Sequence, residues 1–143
     1  MIRQKKIQKI KTQDGFMIPV YRDWDKETNE GHIPKMVYTT VLNKGVEKDI
    51  ILHRNRSAYM TCISGHVVVY AMIKNRIVSY NLKFENENDF INLLIIENNI
   101  PIKIKNLSNS ESIVLNCPSP AWHPDNQDTI KFKTWEEYKI WEG

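Results

Sequence analysis

Short runs of β-branched and aromatic residues recur along most of the chain, and they constrain its fold more than any other feature. Each run has the length of a strand, and turn residues such as Asn43-Lys44-Gly45 and Asn106-Leu107-Ser108-Asn109 separate the runs. Many short strands at spacings of roughly ten residues predict an antiparallel sandwich or barrel rather than a parallel α/β sheet. The predicted strands cover residues 36–42, 49–53, 59–63, 67–73, 77–82, 93–96, 102–104 and 112–117.

Alternation within the strands assigns side chains to faces. Ile51 and His53 share one face of their strand, and Met60 and Cys62 share one face of the next. The step Ser64-Gly65-His66 between two strands predicts a tight hairpin in which Gly65 supplies a positive φ.

Helix signals are few and lie near residue 143. Thr134 and Glu137 match a capping box, in which each side chain bonds the backbone N–H of the other residue. Trp135, Tyr138 and Trp141 then form a narrow apolar stripe, which predicts a short amphipathic helix packed against the barrel. Residues 87–94 are a second candidate, for a loop or a single helical turn.

Length and charge narrow the class of protein. The 143 residues suit one domain, 1–143, with one hydrophobic core. A net charge of +3 is too weak to indicate a nucleic-acid or membrane surface, but it suits a small anionic ligand. No targeting segment is recognisable, and the longest apolar runs fall far short of the roughly 20 residues of a membrane span. We therefore expect a cytoplasmic protein, with Cys62 and Cys117 as reduced thiols in the core.

His53 is the strongest candidate for chemistry. It ends an apolar strand and is followed at once by Arg54-Asn55-Arg56. An imidazole can take a proton from a carbon next to a ketone, because its ordinary pKa lies near neutral pH. The guanidinium groups of Arg54 and Arg56 can hold a diphosphate or stabilise an enolate oxygen. The alternative is a strand-end histidine beside solvated arginines.

The remaining histidines carry weaker signals. His32 lies in a loop and His66 follows a turn glycine. His123 lies in a loop framed by prolines, which can edge a pocket with Trp122 as a stacking surface for a base; a structural lid explains this loop equally well. The sequence contains no HxH, HxxxH or HExxH pair, so a metal site built from these residues is not expected.

The order of these segments resembles the cupin motifs of sugar-nucleotide enzymes, over residues 15–143. The families are the dTDP-4-dehydrorhamnose 3,5-epimerases and the dTDP-sugar 3,4-ketoisomerases. The first motif matches Lys35-Met36-Val37-Tyr38, Gly45-Val46, Leu52-His53-Arg54-Asn55-Arg56 and the stretch from Tyr59 to Gly65. The second matches residues 101–106 with Leu107-Ser108 and 112–116, and the tail Pro120-Ala121-Trp122-His123-Pro124-Asp125 with Trp135-Glu136-Glu137-Tyr138 is similar to that of the epimerase-like proteins.

The resemblance implies an all-β, single-domain cupin jelly-roll barrel, a homodimer, no metal, no cofactor and proton transfer by histidine. The ketoisomerases carry an HxH pair. By the resemblance, its second histidine corresponds to His53, and its first is replaced by Ile51. Tyr38 falls near their substrate-facing tyrosine. The other two metal-ligand positions of metal cupins fall on Ala58 and Ile102. The catalytic tyrosine of the epimerases falls near Leu115 or Asn116, so that role is vacant.

The first functional hypothesis is an isomerase or epimerase of a nucleotide-linked 4-keto-6-deoxy sugar in surface-polysaccharide biosynthesis. It makes His53 and Tyr38 catalytic. It assigns substrate binding to Arg54, Arg56, Trp122 and His123.

Two alternatives stay open. One is a non-catalytic cupin that binds a sugar or nucleotide sugar. The other is a structural or regulatory barrel whose pocket is filled by Ile51, Met60 and Cys62. Under the first two hypotheses the partner is a nucleotide-sugar small molecule, without nucleic acid or membrane.

Overall fold

Two five-stranded antiparallel sheets and a two-stranded hairpin make up the computed structural model, which describes residues 1–25, 31–125 and 128–143. The strands are β1 (Ile2–Gln8), β2 (Ile10–Thr12), β3 (Gly15–Met17), β4 (Tyr38–Leu42), β5 (Ile50–His53), β6 (Ser57–Ser64), β7 (His66–Ile73), β8 (Arg76–Lys83), β9 (Phe90–Ile96), β10 (Ile102–Asn106), β11 (Ser112–Ser119) and β12 (Thr129–Phe132). The first sheet has the order β1-β9-β6-β11-β4, and the second has the order β12-β5-β10-β7-β8. Helix α1 (Trp135–Glu142) follows β12.

The predicted strands all correspond to observed strands, with ends that shift by a few residues. Strand β10 shows why the alternation is a reliable signal: Ile102, Ile104 and Asn106 are buried, whereas the lysines between them are half-buried. A strand with this period places one set of side chains on the core face and the other on the opposite face. The all-β class with one short helix is therefore confirmed.

The main core lies between the two sheets. Met60 and Cys62 of β6 belong to it, whereas Tyr59 packs in a separate cluster on the other face of the first sheet. This separation confirms the predicted faces of β6. Burying such apolar side chains contributes about 1.5–3 kcal/mol for each one that is fully covered. The members of the main core are Ile2, Leu42, Met60, Cys62, Val67, Val69, Ala71, Leu82, Leu94, Ile96, Ile102, Ile104 and Val114.

Helix α1 covers the outer face of the second sheet. Ile50 and Leu52 of β5 are fully buried there, in a cluster with Phe132 and Tyr138. Because side chains alternate along a strand, Ile51 and His53 face the opposite way, toward the first sheet.

The predicted capping box is half correct. Thr134 accepts a 3.1 Å hydrogen bond from the backbone N–H of Glu137. The carboxylate of Glu137 accepts from the backbone N–H of Lys133, at 2.7 Å, and not from that of Thr134. The cap therefore fixes the turn between β12 and α1, one residue earlier than the sequence motif suggests.

The predicted hairpin at Gly65 is wrong, because β6 and β7 lie in different sheets. Gly65 has a φ of 90°, as predicted, but it turns the chain from the first sheet to the second. A Cβ at this position would lie 2.2 Å from the Ser112 hydroxyl oxygen, so the close approach also requires glycine.

The helical alternative for residues 87–94 is wrong as well. Strand β9 begins at Phe90, and it buries residues on both faces from Leu93 to Ile96. A strand covered on both sides has no two-residue period and looks like a short apolar helix in the sequence. The two cysteines, Cys62 and Cys117, are buried and free, as expected. Among the described residues, helix α1 included, there is no helix with the length and apolar character that crossing a membrane requires.

Candidate active site

An open depression of about 570 Å³ lies over the inner face of β5, and we call it the mouth. Its walls come from β4, β5 and β12, together with the segment that carries Trp122. Ligand pockets in proteins usually have volumes of this order. The lining residues are Met36, Tyr38, Thr40, Lys48, Ile51, His53, Arg56, Trp122, Thr129 and Lys131.

Below the mouth, a narrow space of about 60 Å³ continues between the sheets, and we call it the inner chamber. It shares His53, Arg56 and Tyr38 with the mouth. A space of this size admits a group of a few atoms and no sugar ring. The side chains that line only the chamber are mostly apolar: Leu42, Ala58, Met60, Ile96, Glu97, Ile100, Ile102, Ile104, Val114 and Asn116.

The inner chamber bears directly on the plugged-barrel alternative. Ile51 and Met60 do line the chamber and narrow it, as that alternative requires, while Cys62 lies in the core behind them. The mouth above them stays open, with His53 in its wall. The interior is therefore narrowed to a small chamber and not closed, and the surface around His53 is accessible to a ligand.

The His53 ring is held on one side by two side chains. Its Nδ1 lies 2.7 Å from Nη2 of Arg56 and 2.9 Å from Oγ1 of Thr129. The Arg56 Nη2 also donates to Thr129 Oγ1, at 2.8 Å, which closes a triangle. Thr129 can take part because β12 pairs with β5 and places it opposite His53. The other ring nitrogen, Nε2, makes no hydrogen bond within the described part of the chain.

Arg56 is a buried cation, with 6% of its surface exposed. Its Nε lies 3.2 Å from Oδ1 of the half-buried Asp128, and the two form an ion pair without an aligned Nε hydrogen bond. Asp128 is fixed in turn, because its Oδ2 accepts from the backbone N–H of Asn55 and its carbonyl accepts from that of Arg54. A buried charge is tolerated in a protein when it is paired in this way.

The environment of His53 keeps its ring neutral. Burial, and after it the positive charge of Arg56, lower the pKa of His53 from 6.5 to about 4, against the opposing effect of Asp128. Both lowering effects penalise the imidazolium form. At neutral pH the ring is therefore an uncharged imidazole.

Tyr38 and Asn116 lie side by side on the inner face of the first sheet, where strand register pairs them. Burial raises the pKa of Tyr38, against the opposing effect of Arg56, so its phenol keeps its proton at neutral pH. Asn116 is only 9% exposed, and its Oδ1 has no hydrogen-bond partner among the described residues. The mouth and chamber thus contain a phenolic donor and an unused amide oxygen.

The structure brings together four of the residues selected from the sequence: His53, Tyr38, Arg56 and Trp122 all line the mouth. Trp122 is 44% exposed there. The other two, Arg54 and His123, lie outside the mouth.

Arg54 and His123 do not line the mouth. Arg54 is exposed, and its guanidinium carbon lies 5.9 Å from the ring centre of Trp141 in α1. His123 is also exposed, and its Nδ1 accepts from the backbone N–H of Asp125. Their predicted substrate-binding roles find no support in this placement, because side chains two residues apart in an irregular segment need not share a direction.

Several residues of the site were not selected from the sequence. Thr129 anchors His53, and Lys48 and Lys131 add exposed positive charge to the mouth. No motif marks Thr129 or Lys131, because their strand β12 has only four residues.

The positions where the resemblance places metal ligands are apolar here. Ile51, Ala58 and Ile102 all line the inner chamber. Within residues 1–25, 31–125 and 128–143, no three His, Cys, Asp or Glu side chains lie close enough together to hold a metal ion.

Neither a protein-family model nor a curated protein sequence matches this chain. Solved structures match its fold over nearly its whole length. A 3,4-ketoisomerase from Helicobacter canadensis is 14% identical, with a TM-score of 0.75 over 99% of this chain and 98% of that one. QdtA, a sugar 3,4-ketoisomerase from Thermoanaerobacterium thermosaccharolyticum in complex with TDP, is 16% identical, with a TM-score of 0.71 over 96% and 90%.

A third match is the dTDP-6-deoxy-D-glucose-3,5-epimerase RmlC from Legionella pneumophila, in complex with dTDP-4-keto-L-rhamnose. It is 12% identical, with a TM-score of 0.74 over 92% of this chain and 72% of that one. The similarity to sugar-nucleotide isomerases and epimerases expected from the sequence is thus confirmed at the level of the fold. These structures share the RmlC-like cupin fold with this chain, and a shared fold does not by itself fix a reaction.

Proposed function

We propose that this protein is a metal-independent isomerase or epimerase of a nucleotide-linked 4-keto-6-deoxy sugar, with His53 as the residue that moves the proton. The observation that carries the proposal is a neutral, half-buried imidazole where a cationic mouth meets a small apolar chamber. Such a group can exchange a proton with a carbon acid without carrying a charge of its own at rest.

The mouth suits the nucleotide diphosphate. Arg56, Lys48 and Lys131 supply positive charge around the opening, and guanidinium and ammonium groups bind phosphate oxygens through charge-assisted hydrogen bonds. Trp122 offers an exposed aromatic face on which a base can stack. The matching structures of QdtA and RmlC contain TDP and a dTDP sugar, which supports the same ligand class here.

The inner chamber suits the end of the sugar. Its apolar lining can receive a methyl group such as that of a 6-deoxy sugar, whose burial contributes on the order of 0.8 kcal/mol. A hydroxymethyl group there would have to leave water and find a partner. The apolar lining favours the deoxy sugar, although Asn116 Oδ1, which also lines the chamber, offers a hydroxyl one acceptor.

The chemistry needs no redox cofactor, because the electrons only move within the sugar. The ketone acidifies the neighbouring C–H bond, a base removes that proton, and the electron pair forms an enolate. The Tyr38 phenol, which is protonated at neutral pH, can donate a hydrogen bond to the enolate oxygen. In a ketoisomerisation, the hydroxyl proton of the deprotonated carbon passes to the enolate oxygen, His53 returns its proton to the carbon of the former ketone, and the deprotonated carbon becomes the new ketone. In an epimerisation, water supplies a proton to the opposite face of the same carbon, and His53 gives the abstracted proton to water.

Solvent deuterium exchange tests the proposal. The full chain is incubated in deuterated water with dTDP-4-keto-6-deoxyglucose and with the GDP-linked 4-keto sugar, and deuterium in the sugar is measured by mass spectrometry. We expect incorporation by the wild type and a loss of at least about 100-fold in His53→Asn, since acid–base groups contribute that much or more. His66→Asn is the matched control, because His66 contacts Asn81 and lies outside the mouth.

Exchange that is equally fast in His53→Asn would assign the proton transfer to another group. Absence of exchange with every such sugar would remove the enzymatic proposal. The cytoplasmic location, the homodimer and the role in surface-polysaccharide synthesis remain predictions, and light scattering of the purified protein tests the dimer. The proposal gives no role to Arg54 or His123, which lie outside the mouth.

One observation favours the second candidate, a non-catalytic binder of a nucleotide sugar. Ile51 occupies the position at which the ketoisomerases carry the other histidine, so a second imidazole is missing beside His53. Calorimetry with TDP separates the candidates: unchanged affinity in His53→Asn, together with no deuterium exchange in the wild type, identifies a binder.

A further inference from the structure

The two contacts at Nδ1 of His53 determine where its proton lies. Arginine nitrogens carry hydrogens that only donate, so Nη2 of Arg56 cannot accept from the ring. At 2.7 Å from Arg56 Nη2, the Nδ1 atom must therefore be the acceptor. A neutral imidazole has one N–H group, so the ring proton lies on Nε2.

The rest of the triangle agrees with this assignment. Nη2 of Arg56 has two hydrogens, one for Nδ1 of His53 and one for Oγ1 of Thr129. The single lone pair of Nδ1 is then taken by Arg56, so the Thr129 hydroxyl, at 2.9 Å, can share it only as a second, weaker donor. The opposite tautomer would place two N–H groups against each other. Asp128 holds Arg56 in place through the ion pair.

A general base needs the opposite arrangement. For Nε2 to accept a proton from the sugar, the resting proton must first move to Nδ1, where it needs an acceptor. Thr129 Oγ1 is suitably placed, but only when Arg56 no longer donates to Nδ1. Arg56 lines both the mouth and the inner chamber, so an anionic ligand can reach it.

We propose that Arg56 is a positioning residue that keeps unliganded His53 in the Nε2–H form, and that the diphosphate of the ligand turns Nη2 of Arg56 away from Nδ1, while the ion pair of Nε with Asp128 persists, and so releases the ring as a base. This inference rests on the proposed function. The proton count does not change: one proton leaves Nε2 and one is added at Nδ1, by exchange with water. The other charged groups around the ring are Asp128, Lys48 and Lys131, with Glu97 deeper in the chamber.

Nitrogen NMR of the histidine side chains tests the resting state without turnover. The full chain labelled with ¹⁵N is measured at pH 7 without ligand, and the His53 signals are identified by their loss in His53→Asn. We expect a neutral ring with its proton on Nε2. A proton on Nδ1, or an imidazolium, would overturn the inference whatever the enzyme does.

Two arginine variants separate the tautomer effect from a general effect of lost charge. Arg56→Met removes the donor, so we expect the proton to move to Nδ1, facing Thr129. Arg54→Met removes an exposed cation two residues away and should leave the ring unchanged. An unchanged tautomer in folded Arg56→Met would contradict the positioning role.

If Arg56→Met does not fold, Thr129→Val keeps the test decisive. Valine cannot accept from an Nδ1–H group, so this variant should keep the resting Nε2–H form and lose deuterium exchange at least tenfold. Retained exchange would show that the Nδ1–H form is not needed.

Thymidine diphosphate tests the release step. We expect its addition to the wild type to shift the His53 signals toward the Nδ1–H form. Binding without such a shift would overturn the release. Failure of the nucleotide to bind would count against both the release and the proposed function, whereas a resting Nε2–H ring that changes tautomer in Arg56→Met would still establish the positioning role.

Discussion

Two clusters of buried polar side chains lie near opposite ends of β4, and they differ in how completely their hydrogen bonds are made. The first surrounds Asn106 and includes Ser108, Ser110 and Ser112. The second surrounds His53 and includes Arg56, Thr129 and Asp128. Both contain contacts between residues that are far apart in sequence. Judged by these contacts alone, either cluster could serve only to stabilise the fold.

The Asn106 cluster is closed. Its two Nδ2 hydrogens face three carbonyls, those of Leu42, Asn43 and Ser110, at 2.9–3.0 Å, so one hydrogen is shared. Its Oδ1 accepts from the backbone N–H of Ser108 and from the Ser112 hydroxyl. Every polar atom of this side chain has a partner, so the cluster has nothing left to offer a ligand.

The His53 cluster is open. Nε2 of His53 makes no hydrogen bond in the described ranges, and Oδ1 of nearby Asn116 is buried without a described partner. Buried polar atoms are nearly always bonded, and an unsatisfied one costs stability. The comparison indicates that one cluster stabilises the fold and that the other keeps bonding capacity for a ligand.

The largest effect on stability is expected at the closed cluster. Asn106→Leu should lower the free energy of unfolding by about 3 kcal/mol, because it leaves the buried Leu42 carbonyl, a part-buried carbonyl of Ser110 and the buried Ser112 hydroxyl without this partner. Urea denaturation measures the change. Asn109→Leu, in the same loop but exposed, is the control and should change stability by less than about 0.5 kcal/mol. An equal effect of the two substitutions would mean that the cluster is not structural.

Acidification should weaken the protein through the open cluster. Because the pKa of His53 falls from 6.5 in the unfolded chain to about 4 in the folded one, the unfolded chain binds more protons between these values. Stability is therefore fully present above pH 6.5 and is lost as the pH falls toward 4. After a discount for solvent around the half-buried ring, we expect a loss of about 2 kcal/mol.

His53→Asn isolates that contribution from the others. The pKa of His32 is lowered by burial as well, and it acts in the same direction in both proteins. Urea denaturation at pH 6.5 and pH 4 should show the wild type losing about 2 kcal/mol more than the variant. Parallel losses in the two proteins would mean that His53 is not desolvated.

A smaller effect of opposite sign is expected at Asn116. Asn116→Leu removes a buried amide oxygen that has no described partner, so the free energy of unfolding should rise by about 1 kcal/mol. The same Asn-to-Leu change thus stabilises one cluster and destabilises the other. Ligand affinity should fall in this variant. A loss of stability similar to that of Asn106→Leu would show that Asn116 is bonded in solution.

The smallest effect concerns Arg54, which borders the open cluster without joining it. Arg54→Met should cost about 0.5 kcal/mol, the value of an exposed cation–π contact, here with Trp141. Calorimetry should find an unchanged affinity for TDP. A large loss of affinity would extend the binding site beyond the mouth.

Most of the fold could be predicted from the sequence, because apolar side chains alternate with a two-residue period and the strands are rich in β-branched residues. Strand β1 could not be predicted in this way. Its two buried residues, Ile2 and Ile7, are five positions apart and therefore lie on opposite faces, in different clusters. Arg3, Lys5 and Lys6 lie between these two residues, so the segment shows no alternation of apolar and polar residues.

The site was only partly predictable. His53 could be found because a titratable residue on an apolar strand is unusual, and Tyr38 because of the resemblance. Thr129 could not be found, since its importance comes from pairing across strands and not from its neighbours in sequence. Nor could the sequence show that Arg56 and not Arg54 lines the mouth. Strand β5 ends at His53, and beyond a strand the alternation of side chains no longer predicts which way each one points.

The anchor of His53 lies 76 positions further along the chain. The parts of the Asn106 cluster are complete at Ser112, whereas the contact between the His53 ring and Thr129 needs β12, which lies at the end of its sheet, beside β5. A strand at the end of a sheet is paired on one side, so it can open locally while the rest of the sheet stays formed. Detachment of β12 would free the ring of the proposed base from one of its two contacts and leave the Asn106 cluster intact.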